Sequence, residues 1–160
     1  LERFGEYVPP EDINKVNDNY LREKIPVFSH IPLYIGRELF GLDIPDSESD
    51  AQTNTLGEFL RVKKIVYAKN TPGIFPRDPN IEPRLSTKDL IRRIPVQDVY
   101  NLSRVGGDNI DEHLIENLGL LIFEKSRHSK YIQVIDINDP SSIEKAFLGR
   151  RVGSVIYHPK

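Results

Sequence analysis

Short β-branched runs and longer stretches with one apolar face alternate along the chain, and each switch of rhythm predicts a change of element. The clearest run is Ile65-Val66-Tyr67-Ala68, a buried strand that leads through Lys69-Asn70-Thr71-Pro72 into a turn at Gly73 and an Asp78-Pro79 stop. Before it, Leu56, Phe59, Leu60 and Val62 form the apolar face of a helix, with Asp50 as its expected N-cap. The helix runs straight into the strand at Ile65, so the connection must be tight. Tyr131 to Ile137 reads as a second strand, Asp139-Pro140 opens a helix that Leu148-Gly149 ends, and Val152 to Tyr157 is a last strand.

The remaining segments carry weaker patterns. A short polar helix is expected from Glu11 to Arg22, then a buried strand from Ile25 to Phe28. From Gly36 to Ser49, Gly41, Pro45 and scattered carboxylates predict a loop. Ser86-Thr87-Lys88-Asp89 resembles a capping box opening a short helix through Arg92, and Pro95 to Gly107 reads as irregular. Asp108 or Asn109 would cap the longest helix, with Ile110, Leu114, Leu118, Leu121 and Ile122 on its inner side. Strands alternating with helices predict an α/β fold with a mainly parallel sheet.

Composition narrows the function classes. At 160 residues, with 38% hydrophobic and 29% charged residues, residues 1–160 suit one soluble domain with a single core. A formal net charge of −2 argues against a nucleic-acid partner held by a basic surface. Without cysteine there is no disulfide frame, thiolate metal site or cysteine nucleophile, which suits a cytoplasmic protein. No apolar run approaches the ~18 residues of a membrane-spanning helix, so no membrane partner is expected. Methionine is absent even from position 1, so Leu1 is not expected to be the natural start.

The strand and turn at 65–79 resemble the amino acid kinase superfamily, which carries an Asp-Gly-aromatic-x-x-Asp-Pro pattern at its nucleotide turn. Ile132-Gln133-Val134-Ile135-Asp136, Pro140, Ala146-Phe147-Leu148-Gly149 and Val152-Gly153-Ser154-Val155-Ile156 are similar to the carboxyl terminus of that fold. Gly5 to Glu11, Pro32-Leu33-Tyr34 and Ser126-Arg127-His128 resemble molybdenum storage protein subunits, relatives of uridylate kinases. The resemblance implies a three-layer amino acid kinase-like fold, of which this chain is the carboxyl-terminal, nucleotide-binding part. The glycine-rich phosphate loop and lysine of the amino-terminal part have no counterpart here. That implies a fragment, a cleaved chain or a split subunit, partnered by other subunits of an oligomer and by a chain with the amino-terminal half.

What the resemblance implies for the site can be set beside plainer readings. Lys69, Asn70, Gly73, Phe75 and Asp78 would hold ATP with Mg2+, while spacing alone gives an ordinary turn with a buried Phe75 and a capping Asp78. Pro72 stands where the family has an aspartate, removing a carboxylate and an N–H donor, so the nucleotide site would be weakened or degenerate. Asp50 matches an aspartate that orients a catalytic lysine or holds magnesium, though with no amino-terminal lysine it is expected to have nothing to organise. No metal-ligating residues are assigned: His30, His113, His128 and His158 are scattered, His113 on a solvated helix face and His158 in a frayed tail. Arg37 is a lone candidate for an oxyanion, and Asp43, Asp46, Glu48 and Asp50 are most simply a solvated acidic loop. The implied function is a subunit of a molybdenum or tungsten storage assembly that binds ATP and encloses molybdate or tungstate clusters. The alternatives are an ATP-dependent uridylate or amino acid kinase, or a structural pseudokinase-like subunit. The chain alone is not expected to be a complete kinase, although ATP hydrolysis within the assembly would be compatible with it.

Overall fold

Strand β1 (Gly5–Tyr7) pairs in parallel with β2 (Ile25–Val27), making a small sheet of its own. The main sheet contains β3 (Lys64–Lys69), β4 (Arg93–Pro95), β5 (Tyr131–Asp136) and β6 (Ser154–Tyr157), in the order β3-β5-β6-β4. Pairs β3/β5 and β4/β6 are parallel, and β5/β6 is antiparallel. The computed structural model describes residues 5–16, 21, 25–77, 85–105 and 114–159. Its helices are α1 (Leu33–Phe40), α2 (Ser49–Phe59), α3 (Val96–Val105), α4 (Asn117–Lys125) and α5 (Pro140–Phe147). None of the described helices is long and apolar enough to cross a membrane.

Burial follows position in the sheet. In β5, Ile132, Gln133, Val134 and Ile135 are all buried, as suits a strand with neighbours on both sides. Strand β3 lies at an edge of the sheet among the described residues and alternates, burying Ile65 and Tyr67. These two join Ile132, Val134 and Ile156 of the sheet with Leu120 and Phe123 of α4 in the main core. Gln133 is the polar exception within β5. Its amide donates to the carbonyls of Arg150 and Val152 at 3.1 and 2.9 Å and accepts from Lys64 Nζ at 3.1 Å, so the link into β6 is pinned. Lys64 also reaches the Ala146 carbonyl at 3.0 Å, holding α5 to the sheet.

Several sequence expectations are corrected. The stretch from Gly36 to Ser49 is not all loop, because α1 occupies Leu33–Phe40 and ends at Gly41 with φ 69°. Gly36 sits inside that helix, where a Cβ would lie 2.8 Å from the Leu42 carbonyl oxygen. It is there for close packing, not for a turn. The stretch from Pro95 to Gly107 holds α3, anchored by buried Val96 and Val99. Ser86 and Asp89 make capping-box bonds, with the Asp89 carboxylate accepting from Ser86 N and Oγ at 2.8 and 3.0 Å. No helix follows, and the chain enters β4 instead. The polar helix expected from Glu11 is a 3-10 helix at Pro10–Lys15, with residues 17–20 outside the described set. Strand β2 is not buried: Ile25 is 61% and Val27 38% exposed.

The long helix is also shorter than its pattern suggests. Leu114 to Glu116 lie outside it, α4 starts at Asn117, and the expected caps Asp108 and Asn109 and His113 fall outside the described residues. His158 is no frayed tail, since its ring packs on Phe123 with centroids 4.5 Å apart. Arg37 is engaged at the surface by Asp43 through both its Nε and Nη2.

Candidate functional site

Helices α2 and α4 begin face to face beside the carboxyl end of β3, and each begins with a carboxylate. Asp50 is not the N-cap of α2; that position belongs to Glu48, which makes no side-chain capping bond. Asp50 lies in the first turn, only 4% exposed, with its carboxylate directed away from its own helix. Oδ1 and Oδ2 accept from Lys69 Nζ at 2.9 and 3.0 Å, and Oδ2 also accepts from the Glu116 amide at 3.1 Å. Glu116 returns the arrangement: Oε2 accepts from the Asp50 amide at 3.0 Å and Oε1 from Ser49 Oγ at 3.3 Å. Two helix N-termini thus exchange caps, a favourable place for carboxylates because orphan N–H groups and the helix dipole both face them.

A buried network supports this pair from below. Tyr67 Oη, on β3, donates toward the Asp50 carbonyl at 3.0 Å and Asn54 Oδ1 at 2.9 Å. Asn54 Nδ2 in turn donates to the Gly119 carbonyl at 2.7 Å, closing the circuit onto α4. Burial, then the charges of Asp50 and Glu116, push the Tyr67 phenol well above its usual range, so it remains a neutral donor. Gly119 is what lets the helices meet, for a Cβ there would stand 2.9 Å from Asp50 Cβ. Glu48 completes the acidic group. Burial, a hydrogen bond with Glu116 and the Glu116 and Asp50 charges raise its carboxyl above the usual range.

The residues expected at the site separate into distinct groups. Asp50 and Lys69 come together, so Asp50, expected to have nothing to organise, is paired with a lysine on β3 of this same chain. The Lys69 side chain stays 25% exposed, with its ammonium 5.3 Å from the Tyr67 ring centre. Asn70 follows it, exposed. Gly73 is buried with φ 151°, and a Cβ there would lie 2.5 Å from Ser154 Oγ. Ser154 Oγ accepts from the Ile74 amide at 2.8 Å, so the open side of this glycine is filled by β6 and its freedom serves packing of the turn. Phe75 is half-buried, and Asp78 lies outside the described residues. The acidic loop is only partly solvated, since Asp43 and Asp46 are exposed but Asp50 is buried.

Glu116, Tyr67 and Asn54 were not legible as site residues. Glu116 sits within an apolar periodicity that hides a helix start, and Tyr67 reads as ordinary strand core.

The donor set suits the phosphate end of a nucleotide better than a resident metal. Lys69 offers a held, partly exposed ammonium where ligands of open α/β sheets gather. Both Asp50 oxygens already accept hydrogen bonds, leaving a magnesium ion little room for ligation there. Among the described residues no group of three or more His, Asp or Glu side chains is arranged to hold a metal ion.

Comparison with known proteins agrees with this architecture. No protein-family model matches the chain. It is 29% identical over 118 residues to a uridylate kinase of Archaeoglobus fulgidus, covering 74% of this chain and 52% of that protein. A uridylate kinase of Natronomonas pharaonis is 26% identical over 119 residues, covering 74% and 50%. The chain therefore spans about half the length of the curated relatives it matches. Among solved structures, the Archaeoglobus fulgidus uridylate kinase superposes with TM-score 0.59 at 24% identity, covering 93% of this chain and 59% of that one. A UMP kinase of Bacillus anthracis gives 0.60 at 17% identity, covering 89% and 50%. These relatives are kinases by name, and they show no relation to molybdenum storage subunits. The chain has the amino acid kinase fold, with uridylate kinases among its relatives in sequence.

Proposed function

We propose that this chain is the nucleotide-binding half of a uridylate-kinase-like phosphotransferase, in which Lys69 faces the phosphates of ATP and Asp50 holds it there. The observation that carries this reading is the Lys69–Asp50 pair, 2.9 and 3.0 Å, at the carboxyl end of β3 and the mouths of two helices. Phosphoryl transfer needs fixed positive charge near the oxygens that gain charge in the transition state, and little other chemistry from the protein. Lys69 can supply that charge, and Asp50 and Tyr67 fix its base. Magnesium would arrive with the nucleotide and neutralise phosphate charge. The acceptor we propose is a nucleoside monophosphate, as the names of the relatives suggest. ATP and such acceptors are cytoplasmic metabolites, which supports a cytoplasmic location.

The other half of the fold would come from further sequence of the same protein or from a partner subunit. The exposed apolar side chains on β1 and β2 support this, since parallel sheets are ordinarily covered. No observation on the described residues favours storage of molybdate or tungstate.

The test is ATP-dependent phosphorylation of UMP and other nucleoside monophosphates by the intact natural protein. Lys69→Ala should lower kcat by about 10²–10³-fold, the usual scale for losing one electrostatic stabiliser. No turnover by the wild type with any nucleoside monophosphate would overturn the reading. Molybdenum or tungsten found by elemental analysis of the same sample would return it to storage.

A further inference from the structure

We infer that Glu116 is a positioning residue for the Lys69–Asp50 pair, acting through a reciprocal cap between the N-termini of α2 and α4. Its carboxylate makes no capping bond within α4, although it stands at the N-cap of that helix. It spends both oxygens on α2 instead, taking the Asp50 amide at 3.0 Å and the Ser49 hydroxyl at 3.3 Å. Asp50 does the converse, taking the Glu116 amide on the oxygen that also meets Lys69.

The geometry sets the direction of control. Oδ2 of Asp50 is fixed between the Glu116 backbone N–H and an ammonium, and the Glu116 side chain bears on that carboxylate by holding the first turn of α2 through the Asp50 amide and Ser49 hydroxyl. Without the Glu116 side chain, the first-turn amide of Asp50 becomes an orphan donor. That turn then loosens, and the carboxylate loses its aim while Lys69 keeps its place on the strand. Glu116 would not touch the nucleotide; it acts only through Asp50. The catalytic consequence rests on the phosphotransferase reading, whereas the positioning itself does not.

The experiment compares Glu116→Ala, Glu116→Gln and Asp139→Ala in the intact natural protein. Asp139 is the N-cap of α5, its carboxylate accepting from Ser141 N at 3.0 Å and Ser142 Oγ at 2.7 Å, and its loss is a cap deletion of like kind that removes no bond to Asp50, Lys69 or Glu116. The first readout is the rate at which a small amine-acylating reagent labels Lys69, measured by mass spectrometry against exposed Lys63 in the same sample. Glu116→Ala should speed labelling of Lys69 relative to Lys63, while Glu116→Gln, whose amide oxygen still accepts, should restore most of the protection. Asp139→Ala should leave the ratio at the wild-type value. The second readout is turnover, where Glu116→Ala should lower kcat by about tenfold or more with KM for ATP nearly constant. An unchanged labelling ratio in folded Glu116→Ala, or the same change in Asp139→Ala, would overturn the inference. If the wild type turns over no nucleotide, the kinase reading falls and the labelling ratio still decides the role of Glu116.

Discussion

Gly119 shows how little space separates the two capped helices. A Cβ at this position would meet Asp50 Cβ at 2.9 Å, the Asp50 carbonyl carbon at 3.2 Å and the Ala51 nitrogen at 3.3 Å. Alanine is the better helix former by roughly 1 kcal/mol. Here that gain is opposed by contact with backbone, which cannot rotate away as a side-chain tip can. Overpacking of this kind typically costs about 1–3 kcal/mol, so Gly119→Ala should be net destabilising. It should also push Asp50 off Lys69. The midpoint of urea unfolding, with unchanged slope, measures the first effect. A Gly119→Ala protein as stable as wild type would mean that α4 can withdraw without loss.

At the level of elements, the far end of α2 is tied down as firmly as its start. Glu58, 6% exposed, accepts from the His128 amide at 2.9 Å, the Ser129 amide at 3.4 Å and His128 Nδ1 at 2.7 Å. Burial works to raise its carboxyl, but the hydrogen bonds from His128, Arg127 and Ser129 outweigh it, and the net shift is downward. A carboxyl lowered in the folded state stabilises the protein above its unfolded value of about 4.3, and this stability is lost as pH falls through the folded value. Glu58→Gln should therefore lower stability near neutral pH and flatten its loss below about pH 4. Unfolding midpoints measured from pH 7 to pH 3 test this, and parallel curves for both proteins would refute it.

The same elements explain what the sequence could disclose. Strand β5 and helix α5 were readable because a continuous apolar run and an Asp-Pro cap are local signals. Strand β6 was readable as a strand, though its antiparallel pairing with β5 is not a local property. Helix α1 was missed because Gly36, which permits its close packing, looks like a breaker. Asp50 and Lys69 each stand out as candidates in the sequence, but their pairing does not, and Glu116 is hidden within a longer apolar period. Residues whose role is to connect two elements carry no spacing that announces it.

On the scale of the whole molecule, the uneven covering of the two sheets is the chief physical clue to what surrounds this chain. The main sheet has a core of its own on the α4 face. Among the described residues the β1–β2 sheet has only two three-residue strands, in register from Gly5↔Ile25 to Tyr7↔Val27. Tyr7 is 57%, Ile25 61% and Val27 38% exposed, so one face of this parallel pair presents apolar side chains to water. A two-stranded sheet is marginal by itself, and parallel strands are found almost only where both faces are covered. If the rest of the amino acid kinase fold supplies that cover, the β1–β2 amides should exchange slowly in the intact natural protein. They should exchange fast in the isolated 160-residue span. Ile25→Lys with Val27→Lys sharpens the test. On a free surface the double change should alter stability by no more than about 0.5 kcal/mol per site. Against a buried partner face it should cost well over that, because two charges would be stripped of water without partners. Equal melting of the wild-type and doubly substituted intact proteins, with fast exchange at Tyr7 and Val27, would show that nothing covers this sheet.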